Sequence, residues 1–301
     1  KTVMDLFPSL TLVASAKAIQ FINQFFEDSS LSARAQAIKE GDVLSLGTHS
    51  LQFIAAPMVH WPEVMVSYDA ESKILFSADG FGKFGALDVD EEWLHEARRY
   101  YIGIVGKYGF YTGKLLTKLS AWEVNIICPL HGPVLKDNIA YYVELYTKWS
   151  NYEPEEEGVV IAYTSVYGNT KKAVFTLRDK LEERGLKKII VHDLARCDMS
   201  VAVADAFRYN RLVLATTTYN AQIFPPMREF INELTERNYA NRVVALIENG
   251  SWAPIAAKIM KEKLEKSNNI SFANHSVRIL SALNEESIKQ LDELADELLM
   301  K

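Results

Sequence analysis

Three short segments each end an apolar run on a residue type that binds transition metals: Ala56-Pro-Met-Val-His60-Trp-Pro, Leu75-Phe-Ser-Ala-Asp79-Gly-Phe-Gly and Ile127-Cys-Pro-Leu-His131-Gly-Pro. Imidazole and carboxylate are ligands that iron, zinc and manganese accept, and one carboxylate can join two metals through its two oxygens. A lone histidine is more often a satisfied structural residue, and His49, His95, His192 and His275 are read that way. His60, Asp79 and His131 are read as catalytic and metal-binding, because each closes a strand-like run in the same manner.

A second group of residues suits a phosphate and a flat ring. Tyr163-Thr-Ser-Val-Tyr-Gly-Asn-Thr170 lies between an apolar strand and a helical pattern. Ser165, Asn169 and Thr170 bring hydroxyl and amide groups, Val166 and Tyr167 span the loop, and Gly168 lets it turn tightly. Backbone N–H groups at the helix start complete a cradle for an anion. The loop has neither Gly-x-Gly-x-x-Gly nor Gly-Lys-Ser/Thr, so a monophosphate ester fits better than a dinucleotide or a triphosphate. Two further loops follow later strands: one holds Thr217, Thr218, Tyr219 and Asn220, the other Asn249, Gly250, Ser251, Trp252 and Ala253. Trp252 and Tyr219 can sandwich an aromatic ring, and Asn220 and Asn249 can hydrogen-bond its polar edge. Singly, such loops are helix caps and turns. Three of them at strand ends on one sheet edge define one pocket. One phosphate, one polyol and one planar ring are the parts of FMN.

The elements that must position these groups fall into two halves. From residue 158 onward the pattern alternates: VVIAY (159–163), a helix from Lys171 to Arg184, KKIIVHDL (187–194), a helix from Val201 to Arg208, and RLVLATT (211–217). A helix from Pro226 to Thr235, RVVALIEN (242–249), a helix from Pro254 to Lys266, SVRIL (276–280) and a helix from Glu285 to Leu299 follow. Continuous Val/Ile/Leu runs between helices predict an α/β fold with a doubly wound five-stranded parallel sheet, in an order that resembles flavodoxin. Residues 151–157, acidic and holding a proline, read as a linker between a domain at 1–150 and one at 158–301. The first half mixes short strands (TLVAS, SLQFIAAP, MVSYDA, KILFSAD, NIICPLHG) with helix mainly from Asp90 to Ser120. Lys1 enters an amphipathic stretch with no capping signal before it, so the chain is expected to begin inside a domain.

A chain of 301 residues suits two cores. The composition, 49% hydrophobic and 24% charged, is that of a soluble globular protein. A formal charge of −6 argues against a sequence-independent nucleic-acid binder. Cys128 and Cys197 do not make a disulfide framework, which fits a reducing cytoplasm, and no apolar run has the length of a bilayer span. No nucleic acid and no membrane are expected as partners.

The flavin loops, the Pro225-Pro226 pair and the Asn-Gly-Ser-Trp-Ala-Pro run resemble the flavodoxin module of flavodiiron proteins, and the His60, Asp79 and His131 segments resemble the metallo-β-lactamase-like domain of that family. The resemblance covers the whole chain. It implies an FMN-dependent oxidoreductase that passes electrons to a non-haem centre of two iron ions, reducing dioxygen to water or nitric oxide to nitrous oxide. In it, His60, bridging Asp79 and His131 are ligands. It also implies a head-to-tail homodimer, in which one subunit's FMN serves the other's metals, and a rubredoxin or flavin reductase as electron donor. The family's upstream His-x-Glu-x-Asp-His motif is not found in this sequence. It would precede a stretch like Pro8 to Lys17, so the first domain is expected to be N-terminally incomplete, with the remaining ligands on a separate N-terminal segment, on residues not seen here, or absent. Two other readings stand beside this one: a metal-dependent hydrolase fused to a flavodoxin, and a flavodoxin-type electron carrier with an inert dimerisation scaffold. Metal without redox coupling marks the first; FMN without metal marks the second.

Overall fold

The computed structural model describes residues 1–89 and 91–300. The chain divides into two compact units, Lys1–Asn151 and Tyr152–Lys301.

In the first unit, α1 (Thr2–Leu6) leads into β1 (Leu12–Ser15). Helix α2 (Ala16–Phe26) and the short α3 (Ser29–Ala33) return the chain to β2 (Ala35–Ile38), which pairs in parallel with β1. Ser15 caps α2 by accepting the Ala18 N–H at 3.1 Å. Five further strands form the main sheet: β3 (Val43–Ser45), β4 (Ser50–Ala55), β5 (Met65–Asp69), β6 (Ile74–Phe76) and β7 (Ile126–Cys128), in that spatial order. Pairing is antiparallel from β3 to β6 and parallel between β6 and β7. Strands β4, β6 and β7 therefore run in the same direction, so their carboxyl ends share one edge. Between β6 and β7 lie α4 (Trp93–Tyr100), a π-helical turn at Tyr101–Val105, a 3-10 turn at Gly106–Tyr108 and α5 (Gly109–Leu119); α6 (Ile139–Ser150) closes the unit. Asp90, where the sequence reading starts this helical stretch, lies outside the described residues.

The second unit opens with β8 (Glu156–Tyr163), so Glu156 and Glu157 belong to the strand rather than to a free linker. It continues through α7 (Asn169–Glu183), β9 (Ile189–Asp193), α8 (Met199–Arg208), β10 (Tyr209–Tyr219) and β11 (Gln222–Ile223). Then come α9 (Pro225–Glu236), β12 (Arg242–Asn249), α10 (Ala256–Leu264), β13 (Ile270–Phe272), β14 (Val277–Ile279) and α11 (Glu285–Met300). The parallel order is β9-β8-β10-β12, with β13 and β14 both beside β12. The fifth strand is thus one strand interrupted at 273–276. Its break is stabilised by buried Glu297, which accepts the Asn274 and His275 N–H groups at 2.8 and 2.9 Å. Val159, Ile161, Val213, Ala215, Ala245 and Ile247 face α7 and α11 in one continuous core. Burial on both faces is why these central strands carry unbroken apolar runs instead of alternation.

Candidate functional site

The first unit gathers His60, Asp79 and His131 at the shared carboxyl edge of β4, β6 and β7. The Asp79 carboxylate is divided between the histidines: Oδ2 lies 3.4 Å from His60 Nε2, and Oδ1 lies 3.4 Å from His131 Nε2. One oxygen per imidazole is the disposition a carboxylate needs to serve two neighbouring cation positions. The loops are tied by backbone bonds, Leu130 N–H to Ala78 O at 2.8 Å and Lys83 N–H to His131 O at 3.3 Å. Gly82 permits this approach, because a Cβ there would sit 3.1 Å from both the Asp79 and the His131 carbonyl oxygens. Tyr100, at the end of α4, is a site residue that the sequence does not mark. Its buried phenol is pushed well above its ordinary value by desolvation, then by the charge of Asp79 and a hydrogen bond to it, and its ring lies 5.8 Å from that of His131. A tyrosine in an aromatic-rich helix carries no spacing signal, so only the fold reveals it.

Each remaining histidine stands beside a carboxylate: His49 beside Asp69 at 2.8 Å, His192 beside Asp205 at 2.8 Å, His275 beside Glu297 at 2.9 Å and His95 beside Glu92 at 3.8 Å. Glu71 joins His49 and Asp69 in a tight group. Its carboxylate already takes the Ser50 N–H and hydroxyl, and Asp69 takes the Glu71 N–H, so the group reads as a hydrogen-bonded strand end.

Three donors can hold one metal, as in many catalytic zinc sites, whereas two irons need more. The residues described here do not by themselves make a two-iron donor set.

In the second unit, four loops at the carboxyl ends of the parallel strands enclose a cavity of about 610 Å³. Ser165, Val166, Tyr167, Asn169 and Thr170 form one wall, and Thr217, Thr218, Tyr219 and Asn220 a second. Asn249, Gly250, Ser251, Trp252 and Ala253 form a third. Gly168 does not line the space: it is the N-cap of α7, with φ of +90°. Its role is to turn the chain so that the first N–H groups of α7 end at the cavity. Ser165 Oγ braces the loop by accepting the Gly168 and Lys171 N–H groups at 3.1 and 3.2 Å.

The second wall is a hairpin. Tyr219 pairs with Gln222, and the turn residues Asn220 and Ala221 both have φ of +55°, as a two-residue turn joining twisted strands requires. Thr218 Oγ1 accepts the Ile255 and Ala256 N–H groups at 3.0 and 3.2 Å, so a side chain of the second wall caps the helix that follows the third. Ala221, Ile255 and Ser281 also line the cavity. Ser281 lies two residues beyond β14, and its position after the fifth strand is the signal that could have found it.

Asn249 also braces the loops around the cavity. Its Nδ2 donates to Thr170 Oγ1 at 3.3 Å and to Ser281 O at 3.2 Å, while its Oδ1 accepts the Ser281 N–H at 3.2 Å. The amide is committed to joining three loops. On the third and second walls, Trp252, 83% exposed, and Tyr219, 48% exposed, leave their aromatic faces open. Neutral donors at a helix start, a mononucleotide-sized space and two open aromatic faces fit FMN.

Residues 1–132 match the family profile described as ODP family beta lactamase, and residues 160–278 match the flavodoxin domain. One match falls on each unit, in this order. The chain pairs a beta-lactamase-like domain with a flavodoxin domain, and flavodiiron proteins are among the proteins it is similar to. The anaerobic nitric oxide reductase flavorubredoxin of Escherichia coli is 25% identical over 274 residues, 87% of this chain and 57% of that protein. The chain thus spans little more than half the length of that relative. Among solved structures, rubredoxin oxygen:oxidoreductase from Desulfovibrio gigas superposes with a TM-score of 0.87 at 22% identity, covering 96% of this chain and 74% of that one. The flavodiiron protein from Giardia intestinalis gives 0.84 at 21%, again covering 96% and 74%. At these identities the structural likeness is one of fold. The flavodoxin domain and the flavodiiron relatives imply FMN and a non-haem diiron site as cofactors. No helix among the described residues is long and apolar enough to cross a membrane.

Proposed function

We propose that this chain is the flavin and metal core of a cytoplasmic oxidoreductase that takes electrons from a reduced donor protein, through FMN, to a non-haem iron centre where dioxygen or nitric oxide is reduced. The observation that carries the reading is the Asp79 carboxylate, each oxygen facing a different histidine, in a chain whose other unit holds a mononucleotide-sized cavity. Bound FMN would supply the conversion between a two-electron donor and one-electron steps. The chain's own residues hold it: the start of α7 with Ser165 and Thr170 takes the phosphate, and Trp252 and Tyr219 cover the ring. Asn249 and Thr218 keep the three walls in register. His60, Asp79 and His131 hold metal, with Tyr100 fixing the Asp79 carboxylate. A two-iron centre needs donors beyond these three, and a head-to-tail homodimer brings the flavin of one subunit to the metals of the other. The donor is a rubredoxin or a flavin reductase.

The test is the FMN and metal content of the purified chain, followed by anaerobic reduction with a rubredoxin and its reductase and then by addition of each gas. Reoxidation of FMN that depends on bound iron supports the oxidoreductase, and the faster gas names the substrate. FMN that is reduced and reoxidised at the same rate with and without iron would make the protein an electron carrier. Bound zinc with hydrolytic turnover and no coupling to the flavin would make it a hydrolase.

A further inference from the structure

The first unit contains a cavity on the α5 and α6 side of its main sheet. About 290 Å³ lies between α5, α6 and the face of the main sheet, lined at its inner end by Leu75 of β6, Ile127 of β7 and Phe81. All three are essentially fully buried. Leu116 and Leu119 of α5 form its wall. Towards the surface it reaches Ala140 and Val143 of α6, both exposed, so the space is an apolar passage with a mouth.

Its lining carries two side chains with a polar atom, Ser120 and Trp122, among otherwise apolar residues. Ser120 contributes a hydroxyl at the mouth, but that hydroxyl already donates to Thr117 O at 2.8 Å. Water needs two to four polar partners to be held, and apolar cavities of this kind stay dry and take up small apolar guests. Close packing is the norm in protein interiors, and unfilled apolar volume is destabilising, so a natural cavity of this size calls for an occupant.

The inner end abuts the candidate metal site through the chain itself. Leu75 and Ile127 sit on the two strands whose carboxyl ends carry Asp79 and His131, and Phe81 is two residues beyond Asp79. Phe81 is held rather than loose: its ring stacks on Tyr146 with centroids 4.2 Å apart, and its N–H donates to the Tyr146 hydroxyl at 2.6 Å. One buried aromatic ring thus closes the passage at the end nearest the site.

We propose that this cavity takes up the small apolar gas on which the centre acts, concentrating it from solvent behind Phe81. The inference rests on the function proposed above for its substrate, but the binding itself does not depend on turnover. An uncharged diatomic molecule gains from transfer out of water into a dry apolar space, whereas ions and polar solutes are rejected there.

Xenon is the probe, since it fills such cavities without chemistry. The full chain, labelled at its Leu and Ile methyl groups, is titrated with dissolved xenon. Saturable shifts at Leu75, Leu116, Leu119 and Ile127 are expected, and their absence overturns the proposal. Ala140→Trp, at the exposed mouth, plugs the passage without altering the buried lining, and circular dichroism verifies that it folds. The variant should lose the xenon shifts and, in the iron-loaded protein, raise KM for the gas severalfold at unchanged kcat. Xenon binding with no change in KM would show a void that the substrate does not use and would also overturn it. If the wild-type chain turns over neither gas while xenon still binds, the function proposed above has failed and the cavity has not.

Discussion

At Asn249 a single amide joins the phosphate loop, its own loop and the loop after the fifth strand. Asn249→Ala removes three hydrogen bonds and takes a partner from the buried Thr170 hydroxyl, so the second unit should lose about 1–3 kcal/mol in a urea melt. FMN affinity should fall with it. Trp252→Ala should behave otherwise, because the side chain is exposed and touches no core: stability is retained, while the FMN Kd rises about three- to tenfold, the equivalent of about 0.5–1.5 kcal/mol of stacking. Fluorescence titration of the apoprotein with FMN, read beside the urea melts, separates the two roles. Both residues are legible in the sequence as members of a polar loop that follows a strand. That one braces and the other covers is not, since a side chain's hydrogen-bond partners 32 and 79 residues away depend on how the strands are ordered.

At the scale of elements, the second unit depends on two devices that no local pattern announces. Arg242, at the start of β12 and almost wholly buried, directs its guanidinium at backbone carbonyls of Tyr209, Tyr152, Ala240 and Phe207. It thereby ties the chain's entry into this unit to the amino ends of its strands. Burial pulls the guanidinium below its ordinary value, yet it stays charged at any physiological pH. Arg242→Met keeps the bulk but strands those carbonyls, and should cost about 3 kcal/mol in denaturant unfolding. The second device joins α7 to α11: Lys180 and Arg184 converge on Asp292 at 2.7 and 3.0 Å. The hydrogen bond from Lys180, and then that from Arg184, hold the Asp292 carboxyl below its usual range. A depressed folded value stabilises the native state above the unfolded carboxyl value of about 3.9, and that contribution is lost as pH falls through the lower folded value. The acid limb of a pH-stability profile should therefore shrink in Asp292→Asn, with no difference between variant and wild type in slope above pH 5 or so. Strand and helix identities in this unit follow the sequence closely, because each central strand is apolar on both faces. In the first unit they follow it less well. Strands β2 and β3 are short and largely exposed, and β1 finds its partner only after two helices, so periodicity has nothing to register there.

On the scale of the whole molecule, each unit carries its own site, and the sites should be separable. Asp79→Asn weakens the charge shared by the two histidines, so metal bound per chain should fall while FMN content stays at one, as read by elemental analysis beside flavin absorbance. Loss of both together would mean that the substitution had unfolded the chain. The sequence by itself determined the alternation of buried strands and helices, the polar and aromatic loops at the strand ends of the second unit, and the strand-end placement of His60, Asp79 and His131, because each rests on residue type and local spacing. Only the tertiary structure decided that Asp79 gives one oxygen to each histidine, that Tyr100 stands on that carboxylate, that Asn249 and Thr218 brace the loops, and that an apolar passage runs behind Phe81. Those facts are distances between residues far apart in the chain, and they exist only once the sheets have set the strand order and direction.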